Sequence, residues 1–137
     1  MTEHDSRALA LITAHAAYNK KAQDLMVQEV KDLISITDYF VIATASNNRQ
    51  VEAIIEAIED DMRTEGNIKP LHRESTQDSS WSLLDYGSVV VHVFQPEARD
   101  YYRLEQLWND APVIDLKAEG MLDIDYSDRI ALMLGQE

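Results

Sequence analysis

The sequence has no cysteine at all. That absence excludes disulfide scaffolds, thiolate zinc and iron–sulfur sites and thiol nucleophiles, and it fits a reducing compartment. Glycine and proline are scarce, at four and three of 137 residues, while hydrophobic residues make up 45%. Such a composition is that of a folded chain rather than a disordered one. No apolar stretch approaches the roughly 20 residues needed to cross a bilayer. The opening MTEHDSR lacks a basic segment followed by a continuous apolar core. The expectation is a soluble, cytoplasmic protein with no membrane partner.

Positive charge is also in short supply. Lys and Arg number 12 against 25 Asp and Glu, for a net charge of −13. Residues 1–69 carry −5 (12 acids, 7 bases) and residues 70–137 carry −8 (13 acids, 5 bases), so neither half is basic. The electrostatic footprint of a nucleic-acid binder is missing, and no direct nucleic-acid contact is expected. A basic protein partner, by contrast, would be attracted to this surface.

The length fits one domain of roughly 100–150 residues, enough to build a core without staples. Leu9, Ile12 and Ala16 predict a helix over 6–19, capped by Asp5 or Ser6. Residues 22–30 change to an alternating period and read as a strand. The segment 38–45 (DYFVIATA) is apolar on both alternating faces, as in a central strand covered on both sides. After the capping cluster 46–48, Val51, Ile54, Ile55, Ile58 and Met62 mark one helical face, with Gly66 as the expected C′ residue. Residues 68–74 predict a strand that Pro70 confines to an edge or to the strand's start. Residues 81–86 and 88–94 flank Gly87 and predict a hairpin. Pro96 opens a further helix over 97–108, with Tyr101, Leu104 and Trp108 along one side. Residues 111–137 read as an acidic tail, much of it loosely attached, with one short helix at Asp128–Leu134. Helices mixed with a hairpin point to a single α/β (α+β) domain with a mixed sheet of about five strands.

Assembled chemistry is hard to find. His4, His15, His72 and His92 lack metal-ligand spacing, so no metal and no cofactor are expected. Asp123, Asp125 and Asp128 imitate a calcium loop but lack its glycine and its final glutamate. His92, inside a Val-rich strand, reads as a structural histidine satisfied by one hydrogen bond. A nucleotidyltransferase would need paired carboxylates on adjacent strands and a Gly-Ser turn before a helix. Asp38 and Asp85 do not supply that pattern, and no phosphate loop or nucleophile elbow is present. Trp81, Leu83 and Asp85 alternate onto one strand face, and Ser82, Leu84 and Tyr86 onto the other. The first face reads either as core or as an exposed apolar patch with Trp81 as anchor. These residues favour binding over catalysis without naming a partner.

Several segments together carry a resemblance. They are 37–44 (TDYFVIAT), Ser46 with Arg49-Gln50-Val51, and Pro70-Leu71-His72-x-Glu74. They continue with Trp81-x-Leu83-Leu84-Asp85-Tyr86-Gly87, the strand Val89–Phe94, Glu97-x-Arg99-x-Tyr101-Tyr102-x-Leu104-Glu105-x-Leu107-Trp108, and Asp110-Ala111-Pro112. Over roughly residues 6–114 the chain closely resembles the ribosomal silencing factor family (RsfS, also called Iojap). The resemblance implies a silencing-factor domain over 1–114 and an acidic C-terminal tail over 115–137. It implies a nucleotidyltransferase-like sheet without the active site, and a non-enzymatic role. Family members bind the large ribosomal subunit through large-subunit ribosomal protein fourteen, block joining of the small subunit and so repress translation under nutrient limitation. They can also form homodimers. The contact surface expected here is Trp81, Leu83 and Asp85, with His72, Glu74 and Tyr86 nearby. Arg49, Arg99 and Tyr102 match the family pattern with a role in fold or dimer. Ser75 stands where the family often has glycine. The alternatives are a nucleotidyltransferase-like enzyme and a dimeric adaptor with a non-ribosomal partner.

Overall fold

The computed structural model describes residues 5–124 and 126–134, apart from the Arg129 side chain. His4 and Asp125, named above, lie outside the described residues. The chain runs α1 (Ser6–Asn19), β1 (Gln23–Glu29), β2 (Tyr39–Thr44), α2 (Asn48–Thr64), β3 (His72–Ser75), β4 (Trp81–Asp85) and β5 (Val89–Phe94). It ends with α3 (Pro96–Tyr102), α4 (Leu104–Leu107) and α5 (Asp128–Leu134). The five strands form one mixed sheet in the order β1-β2-β5-β4-β3. Only β2 and β5 pair in parallel. The α+β fold class read from the sequence is the observed one.

Local chemistry accounts for these boundaries. The Asp5 side chain accepts from the Ala8 N–H and caps α1, and Asn47 accepts from Gln50 to cap α2. All six residues of β2 are buried, as its doubly apolar pattern requires. Pro70 precedes β3, which lies at the sheet edge with all four residues exposed. The β4–β5 hairpin turns at Gly87, whose φ of +88° is disfavoured for residues carrying a Cβ. The Asp85 carboxylate accepts the Gly87 N–H there at 2.8 Å.

One face of the sheet carries Leu25, Val27, Val41, Ala43, Val91, Val93 and Leu84, and it is covered by the apolar faces of α1 and α2. The other face carries Met26, Phe40, Ile42 and Phe94, and it is covered by Ala98, Ala111, Val113, Ile130 and Met133. The second cover reaches only part of the sheet. It leaves the β3–β4 side of that face open.

Two expectations need correction, and one holds for a different reason. The helix foreseen over 97–108 breaks at Arg103, which takes left-handed φ 47° and ψ 49° between α3 and α4. Tyr101 therefore stands 81% exposed instead of joining the core. Gly66 is the C′ residue of α2 as expected, with the left-handed conformation taken one residue later by Asn67. Gly66 is required for a different reason: a Cβ there would lie 2.9 Å from the Met62 carbonyl oxygen and 3.0 Å from Leu9 Cδ2. Finally, the segment 111–134 is not loosely attached where it is described. Leu116 and Met121 are fully buried in the first core layer. Val113 bridges to Gln28 on the outer edge of β1. The short helix at Asp128–Leu134 is present and buries Ile130 and Met133.

Candidate functional site: the open half of the sheet

Strand register decides which expected contact residues meet. In β4–β5, Trp81 pairs with Phe94, Leu83 with His92 and Asp85 with Val90. In β3–β4, His72 pairs with Asp85 and Glu74 with Leu83. Directly opposed residues of a pleated sheet project to the same side. His72, Glu74, Trp81, Leu83, Asp85 and Val90 therefore share one face. His72 and Glu74 are exposed, and Trp81, Leu83, Asp85 and Val90 are partly buried. Five of the six residues expected at the contact surface are thus brought together.

Tyr86 is the exception. It is 3% exposed and belongs to the core layer beneath α1 and α2. The β-strand period places it opposite Asp85, so inclusion among the contacts put it on the wrong face. Burial, with the negative charge of Glu59 adding to it, raises the phenol well above its ordinary value.

The open face has an aromatic floor. Trp81 lies against Phe94 and Tyr102, with ring centroids 5.0 and 4.6 Å away. Tyr101 then meets Tyr102 edge-on at 5.0 Å. His92, on the central strand β5, is 5% exposed and lies between Leu83 and Ile42 in the cross-strand row. Its ring packs edge-on against Phe40 at 5.1 Å. The Trp81 indole Nε1–H donates to His92 Nδ1 at 3.1 Å. This is the single hydrogen bond expected of a structural histidine in that strand. Trp81 is thus neither plain core nor free surface: its indole N–H is bonded inside, and the side chain as a whole is only partly exposed. Alternation could not show Val90 or the Tyr102 contact, because both depend on register and on where α3 ends.

Electrostatically the face is acidic with limited internal neutralisation. His72 Nε2 and Glu74 Oε2 lie 2.8 Å apart on the exposed edge. Arg73 points to the other face and pairs with Glu52 and Glu59 of α2. Asp38 and Asp85, the two strand-end carboxylates, lie at the same end of the sheet, and Asp85 is tied to the hairpin turn. Among the described residues, no three His, Cys, Asp or Glu side chains converge as a metal site. A cleft of about 660 Å³ lies at the other edge of the sheet, where α1 meets β1, lined in part by Tyr18, Lys21, Asp24 and Asp123. Among the described residues, no helix is long and apolar enough to cross a membrane.

Comparison with known proteins adds the decisive observation. The family model described as ribosomal silencing factor during starvation matches residues 3–129. The chain belongs to the ribosomal silencing factor family. The match extends past residue 114 and takes in Leu116 and Met121, which the fold packs into the first core layer. The silencing factor RsfS of Bacillus subtilis is 37% identical over 112 residues, covering 82% of this chain and 94% of the relative. The chloroplastic protein Iojap of Zea mays is 38% identical over 109 residues, covering 80% of this chain and 47% of the relative. A crystal structure of a protein from Chromobacterium violaceum superposes with a TM-score of 0.72 at 30% identity, covering 77% of this chain and 87% of that one. The matched residues take in the first core layer and the open half of the second face.

Proposed function

We propose that the protein is a translational repressor that docks on the large ribosomal subunit through large-subunit ribosomal protein fourteen and sterically prevents the small subunit from joining. The observation that supports this reading most is the open half of the sheet. This member of a family named for silencing ribosomes leaves Trp81, Leu83 and Val90 only partly covered, beside the acids Glu74 and Asp85. An exposed apolar patch centred on tryptophan marks a protein interface. The surrounding acids and the net charge of −13 favour a basic protein over RNA as the direct contact.

In this reading Trp81 and Leu83 supply apolar burial, Glu74 and Asp85 meet Lys or Arg of the partner, and His72 lies at the polar rim. A standard interface of about 800 Å² on each side is sufficient for stable docking. Silencing then needs no chemical step. Occupying a surface required by the small subunit shifts the joining equilibrium by mass action. Repression under nutrient limitation in the cytoplasm is the setting in which such a block would be used.

Co-sedimentation with isolated ribosomal subunits tests the proposal. The protein is expected to migrate with large subunits alone and to reduce joined ribosomes when small subunits are added. Failure to leave the top of the gradient at low salt would overturn it.

A further inference from the structure

We infer that His92 is a positioning residue for the docking face: by accepting the Trp81 indole N–H, it fixes the orientation in which that side chain is presented. The inference rests on the docking reading for its ribosome arm, while the orientation itself is a property of the free protein.

An indole N–H can only donate, so Nδ1 of His92 must be the acceptor and the ring proton must sit on Nε2. Nε2 is buried and has no hydrogen-bond partner among the described residues. A buried N–H without a partner is destabilising. The strand around it is Val89, Val90, Val91, Val93 and Phe94, and any of these side-chain types would avoid that cost. What histidine provides that valine or phenylalanine does not is the acceptor facing Trp81.

The geometry gives that acceptor leverage. The His92 ring is itself immobilised, edge-on to Phe40 and stacked on Phe94 at 6.2 Å. Trp81 is held by ring contacts to Phe94 and Tyr102, which are apolar and tolerate sliding. The bond to His92 is directional, so it selects one indole orientation among those the ring contacts permit. A histidine that contacts no partner thereby sets the shape of the surface the partner meets.

Two substitutions separate the bond from the packing. His92→Phe keeps an aromatic ring and removes the acceptor. His92→Asn removes the ring and places an amide oxygen near the position of Nδ1. The first readout is the indole N–H signal of Trp81 in ¹H–¹⁵N NMR spectra, assigned with Trp81→Phe. Its protection from solvent exchange is expected to be lost in His92→Phe and retained in His92→Asn, with far-ultraviolet circular dichroism unchanged in both. The second readout is affinity for purified large subunits. His92→Phe is expected to bind about five- to tenfold more weakly, the range of one lost hydrogen bond. His92→Asn is expected to stay within about twofold of the unaltered protein.

An indole N–H that stays protected in His92→Phe overturns the inference. Unchanged affinity of that variant, despite a released indole, also overturns it. Failure of the unaltered protein to bind large subunits overturns the docking reading alone, and the NMR arm then decides the positioning role.

Discussion

Arg99 Nε donates to Glu105 Oε1 at 3.2 Å, and each side chain is only 1% exposed. Arg99 Nη1 also donates to Thr44 Oγ1 at 2.8 Å, tying α3 to the end of β2. The pair spans the left-handed Arg103, so it holds the corner at which α3 gives way to α4. That corner sends Leu104 and Trp108 onto the second core layer.

Removing one member of this pair leaves the other charge in a dry site. Arg99→Met is expected to lower stability by about 3–5 kcal/mol. The double variant Arg99→Met/Glu105→Leu should recover part of that loss, because both charges are gone while the Thr44 hydroxyl loses its Arg99 donor. Urea unfolding of the two single variants and the double variant, analysed as a cycle, measures the coupling.

Gly66→Ala places a methyl group against the Met62 carbonyl and Leu9 at the end of α2. Neither the helix backbone nor a core leucine can withdraw freely. A loss of roughly 1–3 kcal/mol is expected. Thermal unfolding followed by circular dichroism checks it, and a melting temperature equal to the unaltered protein's would contradict the contact.

Trp81→Ala should separate folding from docking. The side chain is partly exposed, so its removal should cost about 2 kcal/mol of stability, below the range for a fully buried tryptophan. Affinity for large subunits should fall by a factor of about 30 or more, as for an interface hot spot. Equilibrium unfolding and subunit co-sedimentation on the same preparation measure both quantities.

Acid should act on the floor of the open face. Burial pushes His92 down to about 4, from an ordinary value of 6.5. Below about pH 6.5 the unfolded chain takes up a proton that the folded protein refuses. Stability therefore rises with pH between about 4 and 6.5, and what this group contributes at neutral pH is lost by about pH 4. The contribution is on the order of 3 kcal/mol. Urea unfolding at pH 7 and 4.5 should show a smaller difference for His92→Phe than for the unaltered protein. An identical difference would contradict the assignment.

Salt should slow docking more than it loosens the finished complex. Attraction between a protein of charge −13 and a basic partner acts mainly on encounter and is screened over about 8 Å at physiological ionic strength. Stopped-flow association with large subunits at increasing salt is expected to show a falling on-rate, with dissociation changing less. A salt-independent on-rate would remove the acidic face as the steering element.

Much of this architecture was legible because single residues carried it. The double-sided apolar run of β2, the Asn47 cap and the edge position signalled by Pro70 each follow from local rules. The break at Arg103 was not legible: Leu104 and Trp108 continue a helical period through it, and one left-handed residue leaves no pattern. The attachment of the later segment was hidden because its buried residues Val113, Leu116, Met121, Ile130 and Met133 follow no single period among the acids. In the candidate site, alternation alone put Trp81, Leu83 and Asp85 together and Tyr86 opposite them. That His72 faces Asp85 and Glu74 faces Leu83 depends on cross-strand register, which a single strand's sequence does not encode.

The cover over the second face has a consequence for the order in which the protein is made. The strands of the sheet are complete once Phe94 has been synthesised, but Val113, Ile130 and Met133 arrive only afterwards. Until then Met26, Phe40 and Ile42 have no late cover, and the apolar expanse beside Trp81 is far larger than in the finished molecule. A nascent chain therefore exposes most apolar surface on this face before α5 seats, and is most prone to stray contacts at that stage.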